Sequence, residues 1–197
     1  MKIGIVGFGY VGSAVAASYP DKEIVINDPR YPDRSQPVNY LKENCEVIYV
    51  CVPTPSDERG HCDSHILEDV VRQLNGYSGI VISKSTALPQ TYQRLEQSDV
   101  RLVHVPEFLT QARAQYDYVN PHKIVVGCRP ELRLSVANIL MASAINFNRV
   151  NIEYCSIGEA SFFKYMANTM LAMKVVMNNE FYDLAQSLKL DWTSLTN

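Results

Sequence analysis

The sequence predicts an α/β fold in which a doubly wound, mostly parallel sheet is followed by a long C-terminal helix. Short apolar runs alternate with helical patterns over most of the chain, as strands and crossover helices do in a parallel sheet. The run VIYVCV at residues 47–52 is apolar at every position, which is typical of a strand buried on both faces. After residue 156 an uninterrupted helical pattern of about 30 residues replaces this alternation.

Local signals place the individual elements. Ser156 and Glu159 have the spacing of a capping box, in which each side chain bonds the other residue's backbone N–H, and they mark the start of the long helix. Asp63 or Ser64 is expected to cap an earlier helix, and Pro89 fits the first turn of another. The expected strands are residues 2–6, 23–27, 47–52, 79–83, 102–105 and 123–126. The expected helices are residues 10–18, 64–74, 88–97, 130–142 and the long segment after 156.

A length of 197 residues corresponds to about 1.3 domains at about 150 residues per domain. We expect a sheet domain over residues 1–152, and a connecting helix with the start of a further helix over residues 153–197. A helix of about 30 residues exceeds the average of about 11–12 and cannot bury its apolar face on one small domain, so it should pack on a second domain or subunit. Thr193 resembles the N-cap of a helix that has barely begun, which suggests a truncated reading frame or an excised domain.

The composition excludes several classes of protein. Eighteen basic and 21 acidic residues give a net charge of −3, whereas a nucleic-acid surface needs clustered lysines and arginines. No apolar run approaches the ~20 residues of a membrane span, and the glycines of the N-terminal MKIGIVGFGYVG indicate a folded turn rather than a signal peptide. We therefore expect a cytoplasmic protein with no nucleic-acid or membrane partner. The odd number and irregular spacing of the cysteines fit free thiols at Cys45, Cys51, Cys62, Cys128 and Cys155.

The segment GFGYVG at residues 7–12 has the spacing GxGxxG between a strand and a helix. In a dinucleotide-binding Rossmann turn the first glycine permits the tight turn, the second lets the backbone approach a diphosphate, and the third allows close helix–strand packing. The N-terminus of the following helix adds free N–H donors for the anion. The alternative is a glycine turn without a ligand. The residues expected to bind the cofactor here are Gly7, Gly9, Tyr10, Val11 and Gly12.

Asp28 strengthens the dinucleotide interpretation, because it ends the next strand 21 residues after Gly7. A carboxylate at this place accepts hydrogen bonds from ribose hydroxyls and repels a 2′-phosphate. NAD is therefore expected as the cofactor in preference to NADP. Arg30, two residues further on, keeps NADP open as the alternative.

Several further segments occur together in one known order. They are CVPTP at 51–55, KST at 84–86, PEFL at 106–109, Asp117, PHKIVVG at 121–127, and Glu159, Lys164, Asn168, Leu171, Ala172, Asn179 and Glu180 on the long helix. With the glycine turn, these segments resemble the N-terminal half of the UDP-glucose/GDP-mannose dehydrogenases, across nearly the whole chain. The resemblance implies two Rossmann-like domains joined by a long helix, a nucleotide-sugar substrate, and oxidation of the sugar C6 alcohol to a carboxylate with two NAD.

The resemblance also implies roles for particular residues. Lys164 and Asn168 are four residues apart and share a helix face, so they can hold a water or an alkoxide and stabilise a developing oxyanion; the alternative is a solvated helix face. Glu107 is implied as the general base for thioester hydrolysis, and the alternative is a carboxylate that caps a backbone turn. Thr86 is implied to lie near the catalytic water, and Pro53 near the nicotinamide.

The sequence departs from the family pattern at three places. The family's catalytic cysteine lies beyond the long helix, and none of the five cysteines takes its position; Cys51 is expected in the core. Gln111 replaces a glutamate that usually follows PEFL, and the segment between residues 28 and 47 is short.

His61 and His65 flank a thiol and a carboxylate, but this segment is expected to be a polar loop before a helix, and no metal site is predicted.

The sequence is also compatible with two other functions. A two-electron dehydrogenase of the β-hydroxyacid type would use Gly158, Lys164 and Asn168 and needs no thiol. A non-catalytic NAD-binding or dimerisation module is the third possibility. A stripe of apolar side chains on the long helix predicts a homodimer, although such a stripe is equally expected of a helix packed under the sheet. The stripe consists of Phe162, Met166, Met170, Met173, Met177 and Phe181.

Overall fold

The computed structural model describes residues 1–196, except for the side chains of Arg149 and Thr196. The chain divides into two compact units, Met1–Lys164 and Tyr165–Asn197. The boundary between these units lies inside the long helix. The expected division after residue 152 stays a prediction about domains.

The first unit is built on a seven-stranded sheet. Its strands are β1 Lys2–Val6, β2 Glu23–Asn27, β3 Val47–Val50, β4 Ile80–Ser83, β5 Arg101–His104, β6 Ile124–Gly127 and β7 Ile152–Cys155. The spatial order is β2-β1-β3-β4-β5-β6-β7, and every neighbouring pair is parallel except β5 and β6. The chain leaves β1 to one side for β2 and crosses to the other side for β3. This reversal is the place where open α/β sheets bind ligands, at the carboxyl ends of the strands.

Helices cover both faces of this sheet in the first unit. The helices are α1 Tyr10–Ala17, α2 Val38–Asn44, α3 His65–Gln73, α4 Pro89–Leu95, α5 Ala114–Val119, α6 Arg133–Met141, α7 Ile157–Ser187 and α8 Trp192–Thr196. Helix α7 continues into the second unit, and α8 belongs to the second unit. Short 3₁₀ turns occur at Gln111–Arg113, Pro130–Leu132 and Phe147–Arg149. The α/β fold with a mostly parallel sheet and a long C-terminal helix is thus confirmed.

Strand β3 shows why the sheet is buried on both sides. Val47 and Tyr49 belong to one apolar cluster, and Ile48 and Val50 belong to the cluster on the opposite face. None of the four side chains is more than 1% exposed. The continuous apolar run in the sequence reflects this two-sided burial.

Three elements are absent from the sequence-based assignment. Helix α2 has only seven residues and α5 only six, which is too short for a clear helical period. Strand β7 is only half-buried, so its sequence IEYC carries no apolar run. It nevertheless pairs in parallel with β6 and extends the sheet across the expected boundary at residue 152.

The start of α7 follows the predicted capping box. The Ser156 N–H donates to Glu159 Oε2 at 2.7 Å, and the Glu159 N–H donates to Ser156 Oγ at 3.2 Å. The cap of α3 differs from the simple expectation, because the Ser64 hydroxyl donates to the Glu68 carboxylate at 2.8 Å instead of accepting from the helix. Asp63 Oδ1 accepts from the backbone N–H of His65 at 3.0 Å.

The second unit contains most of α7 and the short α8. Lys189 takes a positive φ of 56° between the two helices, and the ring of Tyr182 meets that of Trp192 edge-on at 5.7 Å. Thr193 lies inside α8 rather than capping it, since Asp191 accepts its backbone N–H at 3.1 Å. Within residues 1–196, no helix combines the length and apolar character needed to cross a membrane.

Candidate active site

The glycine turn after β1 has the geometry that its spacing predicts. Gly7 has a φ of +87°, and a Cβ there would stand 2.6 Å from the carbonyl oxygen of Cys51, so neither the conformation nor the space admits a side chain. A Cβ on Gly12 would stand 2.1 Å from the Gly7 carbonyl oxygen, so α1 packs against the turn at backbone distance. Gly9 is different, because its nearest neighbour is Arg30 Nη2 at 3.5 Å. Backbone is therefore open to a ligand at Gly9.

A cavity of about 750 Å³ lies along this turn, at the carboxyl ends of the central strands. We call it the dinucleotide cleft. Its volume falls in the range of about 300–1,000 Å³ that is usual for cofactor sites. Seven of the eight predicted cofactor residues line it, and Gly12 lies outside the lining. The seven are Gly7, Gly9, Tyr10, Val11, Asp28, Pro53 and Thr86.

Asp28 is buried at the end of β2 and bonded from all sides. Its Oδ2 accepts from the Phe8 N–H at 2.6 Å and from Arg30 Nη2 at 2.8 Å. Its Oδ1 accepts from the Arg30 backbone N–H at 2.9 Å and from Arg30 Nε at 3.1 Å. Chiefly because of the Arg30 side chain, the pKa of Asp28 falls to about 2, so this carboxylate is ionised at neutral pH.

The loops after β3 and β4 form the opposite wall of the cleft. Thr54 Oγ1 donates to the Thr86 carbonyl at 2.5 Å, and Ser85 Oγ donates to the Val52 carbonyl at 2.7 Å. These bonds tie the two loops together and fix the lining residues Pro53 and Thr86. Such preorganised loops suit a cofactor site better than a mobile surface.

Glu107 joins the cleft to a cation on α7. Lys164 Nζ donates to Glu107 Oε1 at 3.0 Å and also to the Glu107 backbone carbonyl. The two side chains are only 12% and 6% exposed. Glu107 Oε2 accepts the Leu109 N–H at 3.0 Å, so the carboxylate also caps its own loop, as the alternative interpretation expected. Glu107 and Lys164 are 57 residues apart in the sequence, and the fold brings them together at the edge of the cleft.

Lys84 is a functional candidate that the sequence analysis did not select. It lines the dinucleotide cleft and also a neighbouring cavity of about 140 Å³ under the loop after β5, and Glu107 is the other residue common to both. Its side chain is 6% exposed, and its ammonium lies 4.9 Å from the ring centre of Tyr118. Burial lowers its pKa to about 8. A lysine directly after an apolar strand in KST was the available signal, but burial of a lysine is a tertiary property.

Asn168 and Gln111 take part in none of the hydrogen bonds described above. Asn168 belongs to the second unit, on the continuous helix α7, and its relation to Lys164 rests on their helical spacing of four. Gln111 begins the exposed 3₁₀ turn after PEFL. The structure therefore assembles Glu107, Lys164 and Thr86 around the cleft, while the role of Asn168 stays a prediction.

The five cysteines carry no disulfide, and burial disfavours the thiolate at four of them. Burial raises the pKa of Cys51 to about 12 and those of Cys45 and Cys128 to about 11, and it also raises the pKa of Cys155. Cys51 lines the cleft, so its position allows contact with a bound cofactor. Its high pKa, however, disfavours the reactive thiolate.

The two histidines of the 61–65 segment pair with different carboxylates. His61 Nδ1 lies 3.0 Å from Asp57 Oδ2, and His65 Nδ1 lies 2.5 Å from Asp63 Oδ1. Among residues 1–196, no three histidine, cysteine or acidic side chains converge as metal ligands.

Comparison with known sequences identifies the same family as the motifs. The model of the UDP-glucose/GDP-mannose dehydrogenase family, NAD binding domain, matches residues 35–144. The UDP-glucose 6-dehydrogenase of Campylobacter jejuni is 27% identical over 97% of this chain and 58% of its own length. UDP-glucose 6-dehydrogenase AglM of Haloferax volcanii is 25% identical over 97% of this chain and 56% of its own length. The chain thus spans little more than half the length of these relatives.

Solved structures show the same fold. A GDP-mannose dehydrogenase of Pseudomonas aeruginosa superposes with a TM-score of 0.81 at 23% identity, over 99% of this chain and 55% of that one. A UDP-glucose dehydrogenase of Pyrobaculum islandicum superposes with a TM-score of 0.80 at 20% identity, over 96% and 54%. The family model covers more than half of the chain, and the cleft has the form of a dinucleotide site. The chain therefore belongs to the UDP-glucose/GDP-mannose dehydrogenase family, in which it corresponds to the N-terminal half of the relatives, and its cofactor is NAD.

Proposed function

We propose that the chain is the cofactor-binding portion of an NAD-dependent nucleotide-sugar 6-dehydrogenase, acting on a UDP- or GDP-linked sugar. The observation that carries this proposal is the buried Glu107–Lys164 pair, which lies at the edge of the dinucleotide cleft. A dehydrogenase needs such a pairing of a hydride acceptor with groups that move a proton and stabilise an oxyanion. NAD, when bound, supplies the hydride acceptor.

The residues of this chain bind the cofactor, hold the substrate oxygen and activate water. Gly9 opens the turn to the diphosphate, and Pro53 and Thr86 shape the wall of the cleft. The Lys164 ammonium uses two of its three N–H groups on Glu107, which leaves one for a substrate oxygen as that oxygen loses its proton. We assign Asn168 as its partner in holding this oxygen, on the basis of the helical spacing. Glu107 is assigned as the base that activates water in the later hydrolysis.

We propose further that residues 1–197 do not complete the four-electron oxidation. Oxidation of the aldehyde by hydride transfer needs a tetrahedral adduct, and the family resemblance implies that a thiolate forms it. Burial raises the pKa of Cys45, Cys51, Cys128 and Cys155, which disfavours the thiolate at each. The alcohol-to-aldehyde step needs only the cofactor and the oxyanion site.

The test is an assay of the 197-residue chain with NAD and either UDP-glucose or GDP-mannose. NADH is followed by its ultraviolet absorbance, and the sugar product is analysed for aldehyde and uronic acid. We expect NAD binding by calorimetry and at most a trace of aldehyde. Two NADH per sugar and a uronic acid would overturn the thiol argument and direct attention to Cys51. A chain that binds neither NAD nor NADH at millimolar concentration would remove the cofactor role.

A homodimer through the long helix is part of the same proposal. Phe162, Met166, Met170 and Phe181 are between 41% and 62% exposed in the chain, as are Met173 and Met177. Exposed apolar side chains in this number favour a partner surface. Light scattering at high concentration should give the mass of two chains, and a monomer mass would refute the dimer.

A further inference from the structure

The carboxylate at the end of β2 has no free acceptor position in this structure. An ionised carboxylate accepts about four hydrogen bonds, two at each oxygen. Asp28 already accepts four, one from the Phe8 N–H and three from Arg30. The 2′- and 3′-hydroxyls of an adenosine ribose are donors, so they find Asp28 occupied unless the Arg30 side chain withdraws.

Within residues 1–196, the Arg30 guanidinium donates only two of its N–H groups to protein acceptors. A guanidinium has five N–H groups, and the pair with Asp28 uses one from Nε and one from Nη2. The side chain is 62% exposed although its partner is 4% exposed. Nη2 lies 3.5 Å from the place where a Cβ on Gly9 would stand, so the cation overhangs the glycine turn inside the dinucleotide cleft.

The loop that carries Arg30 is held in place by its own bonds. The Asp28 N–H donates to Ser35 Oγ at 2.9 Å, and this hydroxyl donates back to the Asp28 carbonyl at 2.7 Å. Tyr31 packs edge-on against Phe8 at 5.9 Å, and the guanidinium carbon of Arg30 lies 5.8 Å from the Tyr31 ring centre. The cation is therefore presented from a fixed loop.

We propose that Arg30 is the residue that sets cofactor selectivity at the adenosine 2′ position, an inference that rests on the dinucleotide site proposed above. Arg30 neutralises Asp28 and competes with ribose hydroxyls for its oxygens. The same guanidinium offers its remaining N–H groups to the oxygens of a 2′-phosphate, the anion that a bare aspartate repels. The wild-type cleft thus accepts NADP alongside NAD. The ratio of the NADP to the NAD dissociation constant is therefore smaller than Asp28 alone would give.

The experiment is calorimetric titration of the full 197-residue chain and of its Arg30→Ala variant with NAD and with NADP. Removal of the exposed Arg30 side chain frees two acceptor positions on Asp28, so NAD should bind more tightly. NADP should bind more weakly, because its 2′-phosphate then faces an unpaired carboxylate. The ratio of the NADP to the NAD dissociation constant should rise at least about tenfold.

Arg34→Ala is the matched control. Arg34 flanks the same Tyr31 ring at 5.8 Å from its centre but makes no bond to Asp28. Its removal should leave the ratio within about twofold of the wild type. The Asp28→Asn variant keeps Arg30 and removes the negative charge, so the ratio should fall.

The outcomes separate this inference from the proposed function. If Arg30→Ala weakens NAD and NADP equally, Arg30 contacts the diphosphate that both share, and the selectivity role is refuted while the cofactor site stands. A ratio that falls in Arg30→Ala also refutes it. If the wild-type chain binds neither dinucleotide, the proposed function fails, and this inference fails with it.

Discussion

The two ends of the dinucleotide cleft hold a buried carboxylate against a cation in different ways. At the glycine-turn end, Asp28 is 4% exposed but its partner Arg30 is 62% exposed. At the other end, Glu107 and Lys164 are 12% and 6% exposed. An exposed cation regains hydration when its pair opens, whereas a buried one cannot. The first pair can therefore exchange its partner for a ligand, and the second is suited to hold a fixed charge arrangement beside the reacting atoms.

Removal of one cation from each pair gives the largest expected contrast. Lys164→Met should lower the free energy of unfolding by about 3–5 kcal/mol, because it leaves the Glu107 carboxylate buried without its cation and with the Leu109 N–H as its remaining donor. Arg30→Met should lower it by about 1 kcal/mol, since Arg30 is exposed and its partner Asp28 keeps two backbone N–H donors. Urea unfolding followed by circular dichroism measures both. Similar losses in the two variants would contradict the comparison.

Lys84 lines the same cleft near Glu107 and gives a pH-dependent contrast. Its pKa of about 8 in the folded chain is below the ordinary 10.5, so between these pH values the unfolded chain binds more protons and the stability contributed by this site rises with pH. At neutral pH the buried ammonium costs about 3 kcal/mol. Lys84→Met should therefore be more stable than the wild type below pH 8, and this advantage should decline towards pH 10.5. A difference that does not vary with pH would show that the ammonium is solvated.

Asp28 should show a pH dependence of the same sign but in the acid range, because its stabilising contribution is gained as the pH rises, whereas at Lys84 a penalty is relieved. Its pKa of about 2 lies below the ordinary 3.8, so its contribution to stability is complete above 3.8 and is lost as the pH falls towards 2. The wild type should exceed Asp28→Asn by about 2 kcal/mol at neutral pH. Guanidinium unfolding at several pH values below 4 should show the two free energies converging. A constant gap would indicate that packing, rather than charge, makes the difference.

Gly9→Ala tests the open backbone at the glycine-turn end and has the smallest expected effect on stability. Gly9 has a φ of −79°, which alanine also adopts, and the new Cβ would lie no closer than 3.5 Å to Arg30 Nη2. The free energy of unfolding should change by less than about 1 kcal/mol. NAD should bind at least about tenfold more weakly in calorimetry, because the methyl group stands where the backbone approaches the diphosphate. Unchanged NAD affinity would remove Gly9 from the site.

Local chemistry explains which features were predictable. The glycine spacing at 7–12, Asp28 at the end of a strand and the Ser156–Glu159 capping box each depend on neighbours within one turn or one strand, and each is found in the structure.

The features that escaped prediction depend on distant side chains. The saturation of Asp28 follows from one rotamer of Arg30, which no spacing encodes. The low pKa of Lys84 follows from burial between strands and loops that are remote in sequence. The Glu107–Lys164 bond joins residues 57 positions apart, so sequence alone pointed to each residue through the family resemblance and not to their contact.

The fixed start of α7 has a consequence for insertions and deletions. The capping box sets the first turn of the helix, and Ser161 Oγ is anchored on the Ala87 carbonyl at 2.5 Å. Lys164 reaches Glu107 from a set rotational phase. One residue added or removed between Ser156 and Lys164 turns the lysine by about 100° around the helix axis and carries its ammonium away from the cleft. An insertion in the exposed turn around Gly60, where a Cβ would meet nothing within 4 Å, would not rotate a site residue in this way. Sequence alignments of working relatives should therefore be free of gaps from 156 to 164 while they vary in length near residue 60.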